Sequence, residues 1–269
     1  MDLAAFRARF AERTVNVRGR KWGLIDGGTP AGRETPPILF LPGTLGTADI
    51  FWNQIAAFRD ERPVLAVTYA AVADVGTLAD DVARLLDRLR VARVDLLGTS
   101  LGGFVAQAFC IRHADRVATL FVANSLSDPG PLQAKQPPAW QVAAMPATAL
   151  RRVMRTRIQG WSTDQPELAP LVELLEAQLA GEIGGRALKA RVLAMLRARA
   201  LPPLPFPDER IVIIESADDP LIPEPVRAEV RRRYPGAVVH RFDRGGHFPY
   251  VTRPEDYTAL LRKHLTRPT

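Results

Sequence analysis

The sequence predicts an α/β fold: a doubly wound, mostly parallel sheet with an inserted helical cap. Short apolar runs alternate with helical patterns from Val15 to Asn124, the alternation stops between Ser125 and Pro207, and it then resumes. Strand–helix alternation of this kind lays helices on both faces of a parallel sheet, because each crossover must return the chain to the same edge. A length of 269 residues accommodates one such core with an insertion. With 47% hydrophobic residues, 11 Phe, 4 Trp and 4 Tyr, the chain can bury a sizeable core and is not largely disordered.

The elements follow in order. Met1 to Arg13 interleaves Arg7, Arg9 and Arg13 with Phe6 and Phe10, and lacks the unbroken apolar stretch of a secretory signal. Val15–Arg18 and Lys21–Asp26, joined through Gly19-Arg20, read as a hairpin. Ile38–Leu41, Val64–Tyr69, Val94–Leu97 and Val117–Ala123 are compact apolar runs, the pattern of strands covered on both faces. Thr77–Arg90 sets Leu78, Val82, Leu85, Leu86 and Leu89 at helical spacing, and Leu101–His113 is a second, more apolar helix. After the interruption come a strand at Arg210–Glu215, a helix at Pro223–Tyr234, a strand at Ala237–Phe242 and a helix at Glu255–Leu265.

Between them, 125–207 shows no convincing strand. Pro129, Pro131, Pro137 and Pro138 mark one edge, and Pro202, Pro203, Pro205 and Pro207 the other. Apolar stripes in Ala147–Ile158, Glu167–Leu179 and Arg186–Ala200 read as helices. Prolines stop helices and stiffen crossings. The predicted division is a discontinuous core of 1–124 and 208–269 with 125–207 as a cap.

Charge and cysteine content narrow the classes further. The net charge is +7, made of 36 basic and 29 acidic residues, of which only Lys21, Lys135, Lys189 and Lys263 are lysines. That arginine bias reads as a compositional habit rather than a nucleic-acid surface, and no nucleic-acid recognition motif accompanies it. By segment the net charge is +2 for 1–124, +4 for 125–207 and +1 for 208–269. Arg151, Arg152, Arg155 and Arg157 crowd the middle segment, which would favour an anionic substrate or surface. The single cysteine, Cys110, excludes an intramolecular disulfide framework and a cysteine-based zinc site. No apolar run reaches the ~18–20 residues of a membrane span, so the expectation is a soluble, cytoplasmic protein.

The strongest chemical signal is Gly98-Thr99-Ser100-Leu101-Gly102, a G-x-S-x-G directly between a strand and a helix. Such a turn strains the serine backbone, needs small neighbours, and aims the hydroxyl out at a helix N-terminus where negative charge is favoured. Serine alone is a weak nucleophile and requires a base held by an acid. Of the four histidines, His113 and His264 fall near helix ends and His240 inside a strand. His247, in Gly245-Gly246-His247-Phe248-Pro249 after the last strand, has the freedom to reach Ser100. The acid lies in Ser216-Ala217-Asp218-Asp219-Pro220, where composition leaves both aspartates open. The chain order Ser100, Asp218 or Asp219, His247 is that of a hydrolase with a strand-end nucleophile. The glycines of Leu41-Pro42-Gly43-Thr44-Leu45-Gly46 allow backbone N–H groups to face an oxyanion, with Thr44 and Leu101 as donors. Trp140, Met145, Met154 and Trp161 are candidates to line a substrate pocket. No phosphate-binding loop, dinucleotide fingerprint or metal-ligand spacing occurs, so neither metal nor organic cofactor is expected.

These stretches together resemble the α/β-hydrolase superfamily and, within it, the maspardin-like branch. The resemblance is carried by Trp22-Gly-Leu-Ile-Asp26, Leu41-Pro-Gly-Thr-Leu-Gly-Thr-Ala-Asp-Ile50 with Gln54-Ile55, Gly98-Thr-Ser-Leu-Gly-Gly-Phe104 with Ala106-Gln107, Asn124-Ser-Leu-Ser-Asp128 and Gly245-Gly-His-Phe-Pro-Tyr250. It implies Ser100 as nucleophile, Asp219 as acid, His247 as base and Thr44 as oxyanion donor, although Pro42-Gly43 replaces the common His-Gly pair. Maspardin-like proteins of animals and plants have another residue in place of His247 and are regarded as binding proteins; a chain that has the histidine resembles a catalytically complete member. The resemblance thus implies a serine hydrolase of carboxylesterase type acting on a small acyl substrate. The rivals are a non-catalytic interaction module, and a lactone or C–C bond hydrolase or acyltransferase using the same residues. A serine at the elbow disfavours the carboxylate-nucleophile chemistry of haloalkane dehalogenases and epoxide hydrolases.

Overall fold

In the computed structural model, residues 1–28, 30, 35–164 and 168–265 are described. The chain opens with α1 (Leu3–Arg9), whose first turn is capped by the Asp2 carboxylate accepting from the Ala5 N–H at 2.8 Å. β1 (Arg13–Val17) and β2 (Arg20–Asp26) form the hairpin expected, with Val17 paired to Arg20. Both turn residues are left-handed, Arg18 at φ 52° and Gly19 at φ 78°, which matches the right-handed strand twist in a two-residue turn.

β3 (Ile38–Leu41) is followed by a 3₁₀ turn at Ala48–Phe51 that runs into α2 (Trp52–Phe58). β4 (Val64–Thr68), α3 (Val75–Leu89), β5 (Val94–Thr99), α4 (Leu101–Arg112) and β6 (Val117–Ala123) complete the first part. Between β6 and the next strand lie α5 (Gly130–Gln133), α6 (Ala139–Ala144), α7 (Ala147–Asp164), α8 (Ala169–Ala177) and α9 (Gly185–Arg197), with no strand among the described residues. β7 (Ile211–Ser216), α10 (Glu224–Arg233), β8 (Val238–Phe242), α11 (Pro249–Thr252) and α12 (Pro254–His264) end the fold.

The eight strands form one sheet in the order β1-β2-β4-β3-β5-β6-β7-β8. β2 runs antiparallel to both neighbours and every other pairing is parallel. Leu41 lies opposite Gly98, Thr99 opposite Ala123, Ala123 opposite Ile214, and Ser216 opposite Phe242. The loops leaving β3, β5, β6 and β7 therefore emerge along one edge, as binding loops do in open parallel sheets.

Side chains alternate between faces with period two. Leu39, Leu41, Leu96, Leu120 and Val122 pack with α3, α4 and α10 on one side. Ile38, Phe40, Leu97, Phe121 and Ile214 pack with α1, α2 and α12 on the other. α3 starts where the Asp74 carboxylate accepts from the Thr77 N–H at 2.7 Å, and it ends at a left-handed Arg90, φ 57°. α4 is buried along Leu101–Cys110, which accounts for its apolar character all round.

Some expected boundaries shift. α7 runs six residues beyond Ile158, and α8 starts at Ala169 and ends in a wider π turn over Gln178–Glu182. The expected start of that helix, Glu167, lies outside the described residues. α1 and α2 lie outside the expected elements because each is only 7 residues long, too short for periodicity to stand out. Among the described residues no helix is long and apolar enough to cross a membrane.

Candidate active site

Ser100 occupies the single residue between β5 and α4, with φ 53° and ψ −120°. A non-glycine residue held there stores roughly 1–3 kcal/mol of backbone strain, which the surroundings must impose. The glycines explain how. A Cβ on Gly98 would sit 2.1 Å from the Gly102 carbonyl oxygen, and one on Gly102 would sit 2.0 Å from the Leu41 carbonyl oxygen. The turn is pinned to the next strand, since the Ser100 N–H donates to Ala123 O at 3.0 Å and Ser125 Oγ donates to Ser100 O at 2.7 Å.

The loop after β7 delivers two carboxylates, and the geometry separates them. Asp219 faces the His247 ring, whose Nδ1 lies 3.0 and 2.9 Å from Oδ1 and Oδ2. Asp218 instead accepts from the Gly245 and Gly246 N–H groups, through Oδ1 at 3.0 and 2.9 Å, and so ties down the loop that carries His247. Asp219 also accepts from Asn124 Nδ2 at 2.9 Å and from the Leu221 and Ile222 N–H groups at 2.8 and 3.0 Å. Burial pushes this carboxyl up, but the charge of His247 and the hydrogen bonds from His247, Asn124 and Ile222 outweigh it, leaving Asp219 below the usual carboxylate range. An ionised Asp219 only accepts, so Nδ1 of the His247 ring carries a proton and Nε2 is the nitrogen left to exchange one.

Ser100 and His247 line one cavity of about 320 Å³. Gly43, Thr44 and Leu101 line it as well. A turn closed by Gly46 N–H donating to Gly43 O at 3.1 Å presents Thr44, and Leu101 is the first residue of α4. Among the described residues neither the Thr44 nor the Leu101 N–H has a protein acceptor. The rest of the wall is mostly aliphatic, drawn largely from α5, α6, α7 and α9, with Gln133, Gln136 and Arg157 among its polar members. The volume lies at the small end of ligand pockets, which run from roughly 300 to 1,000 Å³.

The expected pocket residues divide. Met145 and Met154 line the cavity. Trp140 does not: it is 73% exposed, because the short α6 turns Val142 inward and Trp140 to solvent. The Trp161 side chain lies outside the described residues. Of the histidines, only His247 lines the cavity among the described residues; His113 meets Asp80 at 3.2 Å on the surface, and His240 and His264 lie on β8 and α12. Two contributors stand in the stretches that carry the resemblance, which assigns them no role. Asn124, at the end of β6 with φ 43°, bridges to Asp219, and Gln54 donates to Tyr250 O at 2.9 Å behind the histidine loop. Among the described residues no cluster of His, Cys, Asp and Glu could hold a metal.

Comparison with known proteins places the chain among relatives. A family model described as the alpha/beta hydrolase family matches residues 38–260. Human (Homo sapiens) maspardin is 29% identical over 250 residues, covering 91% of this chain and 79% of that protein. RutD of Caulobacter segnis, provisionally named a carbamate hydrolase, is 26% identical over 273 residues, covering 90% of this chain and 98% of its own. An enol-lactonase from Burkholderia xenovorans LB400 superposes with a TM-score of 0.76 at 18% identity, covering 95% of this chain and 100% of that one. A thermophilic esterase from Thermogutta terrifontis superposes with a TM-score of 0.72 at 21% identity, covering 94% and 97%. At such identities the structural likeness is one of fold.

Proposed function

The chain belongs to the alpha/beta hydrolase family, and from that premise we propose that it is a serine hydrolase cleaving a carboxylic ester or related acyl bond of a small, largely apolar substrate. The observation that carries the reading is His247, held by the buried Asp219 at 2.9 Å and lining the same cavity as a strained Ser100.

In this reading Ser100 Oγ attacks the acyl carbon while His247 Nε2 takes its proton. Asp219 keeps the imidazole in the required tautomer and stabilises the imidazolium. The Thr44 and Leu101 N–H groups receive the oxyanion, each donor worth about 3–4 kcal/mol of barrier. The alcohol leaves with the proton from His247. Water, deprotonated by the same ring, then cleaves the acyl-enzyme and returns Ser100 to its starting state. The helices over Ser100 act as a cap, with Met145 and Met154 against the acyl chain.

The test is labelling by a fluorophosphonate together with turnover of short p-nitrophenyl esters. Wild type is expected to label and turn over, Ser100→Ala to lose both, and His247→Ala to lose turnover. Labelling that persists in Ser100→Ala would refute the assignment. The similarity to maspardin favours a second reading, a non-catalytic interaction module; near-background turnover, equal in wild type and His247→Ala, would support it.

A further inference from the structure

Arg191, on α9, is wholly buried, yet it makes no ion pair among the described residues. Its Nη1 donates to Gly46 O at 2.7 Å and to Thr44 O at 3.3 Å. Its guanidinium carbon lies 5.5 Å over the ring of Tyr69, which is itself buried. Nε and Nη2 find no acceptor. Burial lowers its pKa to about 10, which leaves it cationic at neutral pH. Only the through-space fields of Tyr69 and Glu12 favour its charge, and a buried cation with no carboxylate bonded to it is among the costliest arrangements in a protein interior. An aliphatic side chain of similar length would pack the same space at lower cost, so packing alone does not account for it.

What the cation touches is informative. Both acceptors belong to the Gly43–Gly46 turn, which lies against Ser100: a Cβ on Gly43 would come 3.2 Å from Ser100 Cβ. The N–H and C=O of one peptide point in opposite directions. Arg191 therefore fixes the peptide joining Thr44 to Leu45 directly, through Thr44 O. It fixes the peptide carrying the Thr44 N–H indirectly, because Gly46 N–H holds Gly43 O at 3.1 Å while Arg191 holds Gly46 O. The same helix also touches substrate space, since Val192, Met195 and Leu196 line the cavity.

We propose that Arg191 is a positioning residue for the oxyanion-binding turn, locking Gly43–Gly46 from the α9 side and coupling the seating of that helix to transition-state stabilisation. It rests on the serine-hydrolase reading given above and adds to it a residue outside the cavity wall. A ligand that fills the cavity presses on Val192 and Met195, and the adjacent Arg191 transmits the seat of α9 to the turn that must receive the oxyanion. A misplacement of about 1 Å in such a group can cost a hundredfold in rate.

The experiment compares wild type with Arg191→Met, which removes charge and donors at similar length, and Arg191→Gln, which keeps an amide donor. The readouts are kcat and KM on p-nitrophenyl esters, affinity for an alkylboronic acid as an analogue of the tetrahedral state, and the folded fraction from thermal denaturation. For Arg191→Met the expected result is a ten- to hundredfold loss of kcat, KM within about twofold of wild type, and boronic-acid affinity falling by the same factor as kcat. Arg191→Gln is expected to recover part of both losses, and it decides the question alone if Arg191→Met does not fold. Wild-type kcat and boronic-acid affinity in a folded variant, or losses that vanish once scaled to the folded fraction, would overturn the proposal. If wild type neither turns over esters nor labels at Ser100, the hydrolase reading falls and this inference with it; an active wild type with unaffected variants overturns the Arg191 role alone.

Discussion

Asn124 Nδ2 stands 2.9 Å from Asp219 Oδ2, so the residue that follows β6 supports a carboxylate that comes after α5–α9 and β7. The same amide nitrogen reaches Gly246 O at 3.3 Å, which places one side chain between the acid loop and the histidine loop. Asn124 is left-handed, with φ 43°, and glycine tolerates that backbone. Asn124→Gly thus removes the donor without adding strain. Loss of a hydrogen bond to a buried carboxylate costs about 1.5–3 kcal/mol. Urea unfolding at pH 7 should show a drop of that order, and ester turnover should fall several-fold.

The acid limb of stability has a defined sign. Asp219 lies below the usual carboxylate range in the folded protein, so its contribution is fully present above the unfolded value. It is lost as pH falls through the folded one. Thermal denaturation from pH 6 down to pH 2 should therefore show wild type losing Tm more steeply than Asp219→Asn below about pH 4. Parallel curves for the two proteins would contradict the depressed carboxylate.

Gly98 and Gly102 tolerate no side chain. With a Cβ meeting backbone oxygens at 2.1 and 2.0 Å, relief requires moving β5, α4 or the β3 loop. Overpacking of this kind costs about 1–3 kcal/mol or more. Gly98→Ala and Gly102→Ala should lower the denaturation midpoint by that amount, and any folded fraction should label at Ser100 much more slowly.

The apolar wall sets a chain-length dependence. Each methylene removed from water contributes about 0.8 kcal/mol, close to fourfold in kcat/KM, until the cavity is full. Wild type should climb along the acyl series and then plateau. Met154→Trp fills part of the cavity and should end the climb earlier, with the acetyl ester little affected and longer esters falling at least tenfold. An unchanged profile would remove Met154 from the acyl path.

How much of this the sequence disclosed depends on how local the cause is. The Gly98–Gly102 turn was legible because its glycines answer to contacts within a few residues and a single crossing strand. The β1–β2 hairpin, α3 and the placement of His247 after the last strand are local in the same sense. The choice between Asp218 and Asp219 was not, since it rests on which way the chain turns after Ser216 and on amides 27 and 28 residues further on. Trp140 and Met145 sit on or beside a six-residue helix, a span too short for periodicity to tell the buried face from the exposed one. Arg191 is one of many arginines in the sequence, and only the fold reveals that it is wholly buried. Asn124 carries no compositional mark, because its partner arrives 95 residues later.

The two adjacent aspartates work as a caliper. One carboxylate is fastened to the backbone of the histidine loop and its neighbour to the histidine ring, so a single peptide bond sets the spacing between the end of β7 and the base. The two loops must then travel together. Lifting His247 alone would break the Asp219 contact, and shifting the loop alone would release Gly245 and Gly246 from Asp218. A one-residue insertion or deletion between Ser216 and Pro220 would swap the two fastenings and lose both. In the hydrolase reading proposed above, the helices between β6 and β7 are then the part left to move over a substrate.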